Sequence, residues 1–191
     1  MSQVTVKSGD VETVVELKDP AIAAVLAWLI PGAGHLYQGR TTKGLLFMIC
    51  VLGIFFYGLV LGDGRVVYAS WRPTDHRLPY LCQVGAGLPA LPALVEAHRA
   101  SNGKPPLFGG MMVPPKLSRQ HGVDELSEWH RYLHRNFELG TVYTMIAGLL
   151  NILVIYDAWG GPMQYADEKQ DKDKEKDKNK KDNPPNSVGP A

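Results

Sequence analysis

Charged side chains are absent from several long stretches of the chain, and those stretches set its architecture. A helix that crosses the hydrocarbon core needs about 20 mostly apolar residues, each rising about 1.5 Å. Gly44 to Gly62 holds no charged or amide side chain and is bracketed by Lys43 and Asp63. A soluble core helix carries a polar stripe, and this segment has none, so it predicts a membrane span. Gly140 to Trp159 predicts a second span. Its only carboxylate is Asp157, and Tyr143, Tyr156 and Trp159 lie near its ends, where amphipathic rings favour the interface. Asn151 is mid-span. An amide in lipid is costly unless it bonds a neighbouring helix, so Asn151 should face the bundle.

Two further apolar stretches are interrupted. Pro20 to Gln38 carries no formal charge at neutral pH, but Pro31 breaks it and Gly32 and Gly34 loosen it. The expectation is a third span, helical from Pro20 to about Ile30 and then kinked or partly unwound. Leu78 to Val95 is long enough to span but has three prolines, two glycines and Gln83. Crossing the membrane as a broken span is the favoured reading, and a re-entrant segment packed against protein is the alternative. The fold class expected is therefore all-α: an integral membrane protein of three to four spans, with an interfacial amphipathic helix and a disordered charged tail.

The remaining segments are polar or mixed. Residues 1–19 form a polar leader whose Val/Thr alternation suits a strand or a loose arm, and its acids argue against a cleavable signal peptide. Residues 63–77 are a connector, and 98–116 a Gly/Pro-rich loop. In 117–139, Leu126, Trp129, Leu133 and Phe137 recur at three- or four-residue spacing with Glu125, Glu128, Arg131 and Arg135 between them. That pattern predicts an amphipathic helix at the interface, with Asp124 able to cap it. Residues 161–191 alternate lysine with acid and hold almost nothing apolar, so the tail should stay disordered.

Composition adds exclusions. The 20 basic residues nearly balance the 19 acidic ones, which argues against a nucleic-acid partner. Two cysteines, Cys50 and Cys82, both in apolar stretches, exclude a disulfide scaffold. Four spans with the N-terminus inside would put twelve basic residues inside and eight outside, which favours that orientation.

One motif stands out between the first two apolar stretches: Pro31-Gly32-Ala33-Gly34-His35-Leu36-Tyr37-Gln38-Gly39-Arg40, followed by Lys43-Gly44. Over about residues 18–62 the chain resembles the TM-two domain family, a two-helix membrane hairpin. In this resemblance Pro31, Gly32, Gly34, His35, Tyr37, Gly39, Lys43 and Gly44 form the structural motif. It implies a hairpin and no shared enzymatic chemistry. The rest of the chain looks like a bacterial multi-pass protein of the cytoplasmic (inner) membrane.

Candidate chemistry is sparse. His130 and His134 are four apart, which on a continuous helix is one face, and Glu138 extends that face. A metal site there is disfavoured: no glutamate follows the first histidine, and Arg131 and Arg135 would repel a cation. Asp157 is a second candidate, for a cation or a proton, and His35 reaches it only if the first and last apolar stretches pack together. No cofactor is implied, and a non-enzyme is favoured. The expected partners are the lipid bilayer and a second copy or another membrane protein, with a structural or regulatory role through helix packing. A metal-dependent membrane enzyme and a small transporter or channel subunit using Asn151, Asp157 and Leu78–Val95 are the alternatives.

Overall fold

The computed structural model describes the backbone of residues 2–8, 11–72, 75–116 and 124–182, and the side chains of 18–71, 77–116 and 124–160. The expected start of the amphipathic helix, 117–123, and the last nine residues lie outside the described residues. The chain divides into two compact units, residues 20–159 and the leader with the chain beyond Trp159, each described by itself.

In the second unit, the leader's alternation becomes an antiparallel hairpin of β1 (Ser2–Ser8) and β2 (Val11–Leu17), with Val4 opposite Val15 and Val6 opposite Thr13. The tail differs from the expected disorder: helix α7 (Arg135–Asp182) continues through it to Asp182. One cause is legible afterwards: the helix propagates from an apolar stretch and needs no new nucleus.

The larger unit is helical except for a two-residue hairpin, β3 (Trp71–Arg72) with β4 (Asp75–His76). Among the described residues, two helices are long and apolar enough to cross a membrane: α3 (Thr41–Leu61) and the Arg135–Gly160 part of α7. They run antiparallel. At one end Lys43 Nζ lies 3.5 Å from Asp157 Oδ2. At the other the backbones touch: a Cβ on Gly58 would meet the Gly140 carbonyl at 2.8 Å, and one on Gly140 the Gly58 carbonyl at 2.6 Å. The Gly58/Gly62 pair therefore serves contacts inside the chain, Gly58 against α7 and Gly62 against Val66.

Neither interrupted stretch is one continuous helix, so of the three to four spans expected, α3 and the Arg135–Gly160 part of α7 are those with the length and composition to cross among the described residues. α1 (Pro20–Leu29) stops before Pro31, the chain turns at Gly32 (φ 84°), and α2 (Ala33–Tyr37) returns alongside α1, with Gly34 against Ala23 and Ala27. Proline ends the helix, and the glycine supplies the left-handed turn. The return finishes beside the Asp157 end of the apolar part of α7, where Gln38 Nε2 donates to the Ala158 carbonyl at 2.5 Å.

The second stretch folds back from the opposite end. Arg77, just before it, donates to the Val66 carbonyl and to Thr141 Oγ1 near the start of α7. The chain descends through α4 (Pro79–Gln83) and a 3-10 turn (Val84–Ala86) and reverses at Gly87 (φ 77°), which sits against the Trp28 carbonyl. It returns through a second 3-10 turn (Leu88–Ala90) and α5 (Pro92–Ser101). Tyr80 Oη donates to the Ala90 carbonyl at 3.0 Å, closing the hairpin across its own base. Pro79, Pro89 and Pro92 each open a helical piece, where a missing N–H costs little. They fragment the segment without preventing it from packing.

The two α3 glycines give a paired prediction. Gly53 has nothing within 4 Å of an added Cβ, so Gly53→Ala should leave the thermal midpoint in detergent unchanged or raised. Gly58→Ala should lower it, with a cost of about 1–3 kcal/mol from the overlap with Gly140 and Tyr143. Equal effects at the two positions would contradict the α3–α7 contact.

Candidate functional site

The two folded-back hairpins meet at one side chain. Asn151 is fully buried, and its Nδ2 donates to the Ala27 carbonyl of the first hairpin at 3.2 Å and to the Gly85 carbonyl of the second at 2.9 Å. Both carbonyls belong to chain that has left, or is leaving, regular helix. Trp28 Nε1 adds a direct link, donating to the Val84 carbonyl at 3.3 Å. The expectation that Asn151 faces the bundle agrees with this position.

Asn151 belongs to a polar and small-residue face of α7 that also carries Thr141, Thr144 and Gly148. Gln83, fully buried, donates to Thr144 Oγ1 at 2.8 Å and to the Val66 carbonyl at 3.1 Å. Arg77 closes this line at its far end, stacked over Tyr68 (4.5 Å) and Phe137 (5.3 Å). Each of these donors serves an irregular backbone carbonyl or a hydroxyl of α7, which burial away from water demands.

At the other end of the apolar part of α7, near Asp157, the motif residues gather. Asp157 Oδ2 is approached by His35 Nε2 at 3.4 Å, Lys43 Nζ at 3.5 Å and Arg40 Nη1 at 3.9 Å. Only the lysine contact has hydrogen-bond geometry. His35 is fully buried, with its ring 5.2 Å from that of Phe47. The motif's remaining residues make turns and close approaches. Pro31 and Gly32 form the first turn, Gly39 (φ 83°) the second, Gly44 packs on Leu36, and Tyr37 is half-buried. The packing of first against last apolar stretch, on which the His35–Asp157 contact depends, is thus present.

The histidine pair is not brought together as one face. α6 (Glu125–Leu133) ends at His134, whose φ of 46° breaks the helix before α7 begins at Arg135. His130 Nδ1 is 2.8 Å from the Leu126 carbonyl, and its ring lies against Phe137. Glu138 stands on the far side of the break. Among the described residues no three His, Cys, Asp or Glu side chains are grouped to hold a metal ion. Asp124 occupies the N-cap of α6 without a capping hydrogen bond.

Two residues of this interior had no counterpart among the sequence candidates. Glu96 is 1% exposed and accepts the amides of Leu107 (2.7 Å) and Phe108 (3.0 Å), so it anchors the Gly/Pro-rich loop. It borders a cavity of about 1150 Å³ with Leu59, Arg65, Met111 and Trp129. Arg77 is the other. Both were hidden for the same reason: a charged residue beside a helix start or in a short polar helix has the signature of a surface residue.

The Asn151 contacts yield a prediction. Asn151→Leu removes the shared donor of two buried carbonyls and should cost about 1–3 kcal/mol, read as a lower unfolding midpoint in detergent. Exposed Tyr156→Leu, five positions on, should cost under about 0.5 kcal/mol.

A family model matches residues 22–171: a family of unknown function, DUF6677, to which the chain belongs. No curated protein and no solved structure matches the chain.

Proposed function

We propose that this DUF6677 member is an integral protein of the bacterial inner membrane, with α3 and α7 as its two spans. The α1–α2 and α4–α5 hairpins are re-entrant elements that enter from opposite faces and meet at Asn151. Its role is structural or regulatory, exerted by packing its spans against a second copy or another membrane protein. The TM-two-like motif from Pro31 to Gly44 marks the return of the first hairpin onto α3.

Burial supports the membrane reading. Only 28% of the most apolar window of α3, and 39% of that of α7, is buried within the molecule. A soluble core helix would be mostly covered. Here Leu45, Leu46, Ile49, Val60, Leu153 and Tyr156 are all exposed, an apolar belt that lipid or a partner helix must cover. α6, with exposed Tyr132 and buried Trp129, fits the interface beside the start of α7.

One observation carries the choice of a packing role over a catalytic one. The buried donors Asn151 and Gln83, with Arg77, are committed to carbonyls and hydroxyls of the chain's own broken segments. These groups hold the fold. A photo-crosslinking residue at Ile49 or Val60, both exposed on α3, should give discrete protein adducts in native membranes. Adducts to lipid alone at both positions would sink the packing role.

A small transporter or channel subunit is the second reading. The polar face of α7 favours it, because Asn151 adjoins the broken Leu78–Val95 segment while Asp157 lies six positions on. Solute flux into liposomes that drops in Asp157→Asn would support that reading, and unchanged flux would remove it.

A further inference from the structure

The start of α3 is an electropositive terminus with no anion supplied by its own helix. Arg40 holds the N-cap, no side chain caps the helix, and the first turn holds no acidic residue. The free amides and the dipole of a 21-residue helix favour an anion there. Arg40 and Lys43 stand beside it with fixed positive charge. His35, fully buried in the same cluster, has Nδ1 without a hydrogen-bond partner, as has Arg40 Nη1.

A single carboxylate oxygen, Asp157 Oδ2, is the point these three side chains converge on, at 3.4, 3.5 and 3.9 Å. One carboxylate against two fixed cations leaves this set with an excess of positive charge. The cluster is open: the side chains of Asp157 and Lys43 are 37% and 46% exposed. On α3 it adjoins exposed Leu45, Leu46 and Ile49, a surface suited to acyl chains rather than water.

We infer that Arg40, Lys43 and the N-terminus of α3, with His35 buried behind them, bind the phosphodiester of an anionic phospholipid in the leaflet at this end of the spans. Arg40 and Lys43 donate to the phosphate oxygens, as charge-assisted hydrogen bonds favour. Their aliphatic stems lie along the apolar face while the charged ends reach the headgroup layer. Asp157 is the internal competitor: it gathers the cations when no lipid is bound and yields them to the phosphate. The inference rests on α3 being a membrane span.

The test is native mass spectrometry of the full chain in phosphatidylcholine nanodiscs with increasing phosphatidylglycerol. Wild type should retain phosphatidylglycerol in preference to phosphatidylcholine. Lys43→Gln and Arg40→Gln should each lower that retention about ten-fold, the worth of one charge-assisted contact. Lys104→Gln, in the cavity that Glu96 borders, should not change it. Asp157→Asn should raise it. Lys43 is half-exposed, so its variant keeps the test open even if Arg40→Gln fails to fold. Equal retention of the two lipids, or full retention in Lys43→Gln, would overturn the inference. Displacement of phosphatidylglycerol by millimolar inorganic phosphate would assign the site to a soluble anion and overturn the lipid source. A chain that does not insert into the nanodisc fails as a membrane protein before any lipid is counted; an inserted chain without lipid preference fails this inference alone.

Discussion

A backbone that leaves helix inside an apolar environment must have its carbonyls and amides met by something other than water, and the rest of this structure follows from that constraint. The Asn151 amide meets it where the two folded-back hairpins join, donating to Ala27 and Gly85, one carbonyl from each. Gln83 and Arg77 repeat the solution nearer the other end, on Val66 and the threonines of α7. Proline and glycine break the two hairpins; the amide and guanidinium groups let the breaks be buried. α7 thereby becomes the spine of the unit, with one polar face for the broken segments and one apolar face left uncovered.

This arrangement separates the two ends chemically. The end that carries Arg40, Lys43, His35 and Asp157 is a compact charged cluster at a helix start. The other end has the Gly/Pro-rich loop, pinned by buried Glu96, and the aromatic contact of Tyr68, Trp129 and Phe137. The buried donors of Asn151 and Gln83 are taken up by the chain's own carbonyls and hydroxyls, so the surfaces that remain are the apolar belt of α3 and α7, and the cationic cluster where α3 begins.

Much of this was legible in the sequence, and the gaps have physical causes. α3 and the apolar part of α7 announce themselves by uninterrupted apolar runs, and Asn151 by the cost of an amide in an apolar run. The fold-back of Pro20–Gln38 was not legible, because Pro31 marks a break but not whether the chain continues or reverses. That depends on Gly32 and Gly34 meeting α3 and α1, contacts made through space. Leu78–Val95 was the same problem with more prolines, and its return shows in the Tyr80–Ala90 bond across the hairpin. His130 and His134 read as one face because spacing assumes a continuous helix, and the positive φ of His134 ends that assumption. The tail failed in the opposite sense: composition argued for disorder, yet a helix already under way needs no nucleus to continue.

The account stands on the claim that Leu78–Val95 enters and leaves by the same face while both spans cross completely. Single cysteines at Leu78, Ser101 and Thr42, all exposed positions, test it in a background without Cys50 and Cys82. A membrane-impermeant thiol reagent applied to intact cells and then to inverted vesicles reads the side of each. The account predicts that Leu78→Cys and Ser101→Cys are labelled from one side and Thr42→Cys from the other. Labelling of Leu78→Cys and Ser101→Cys from opposite sides would show that the segment crosses the membrane and would contradict the architecture built on Asn151.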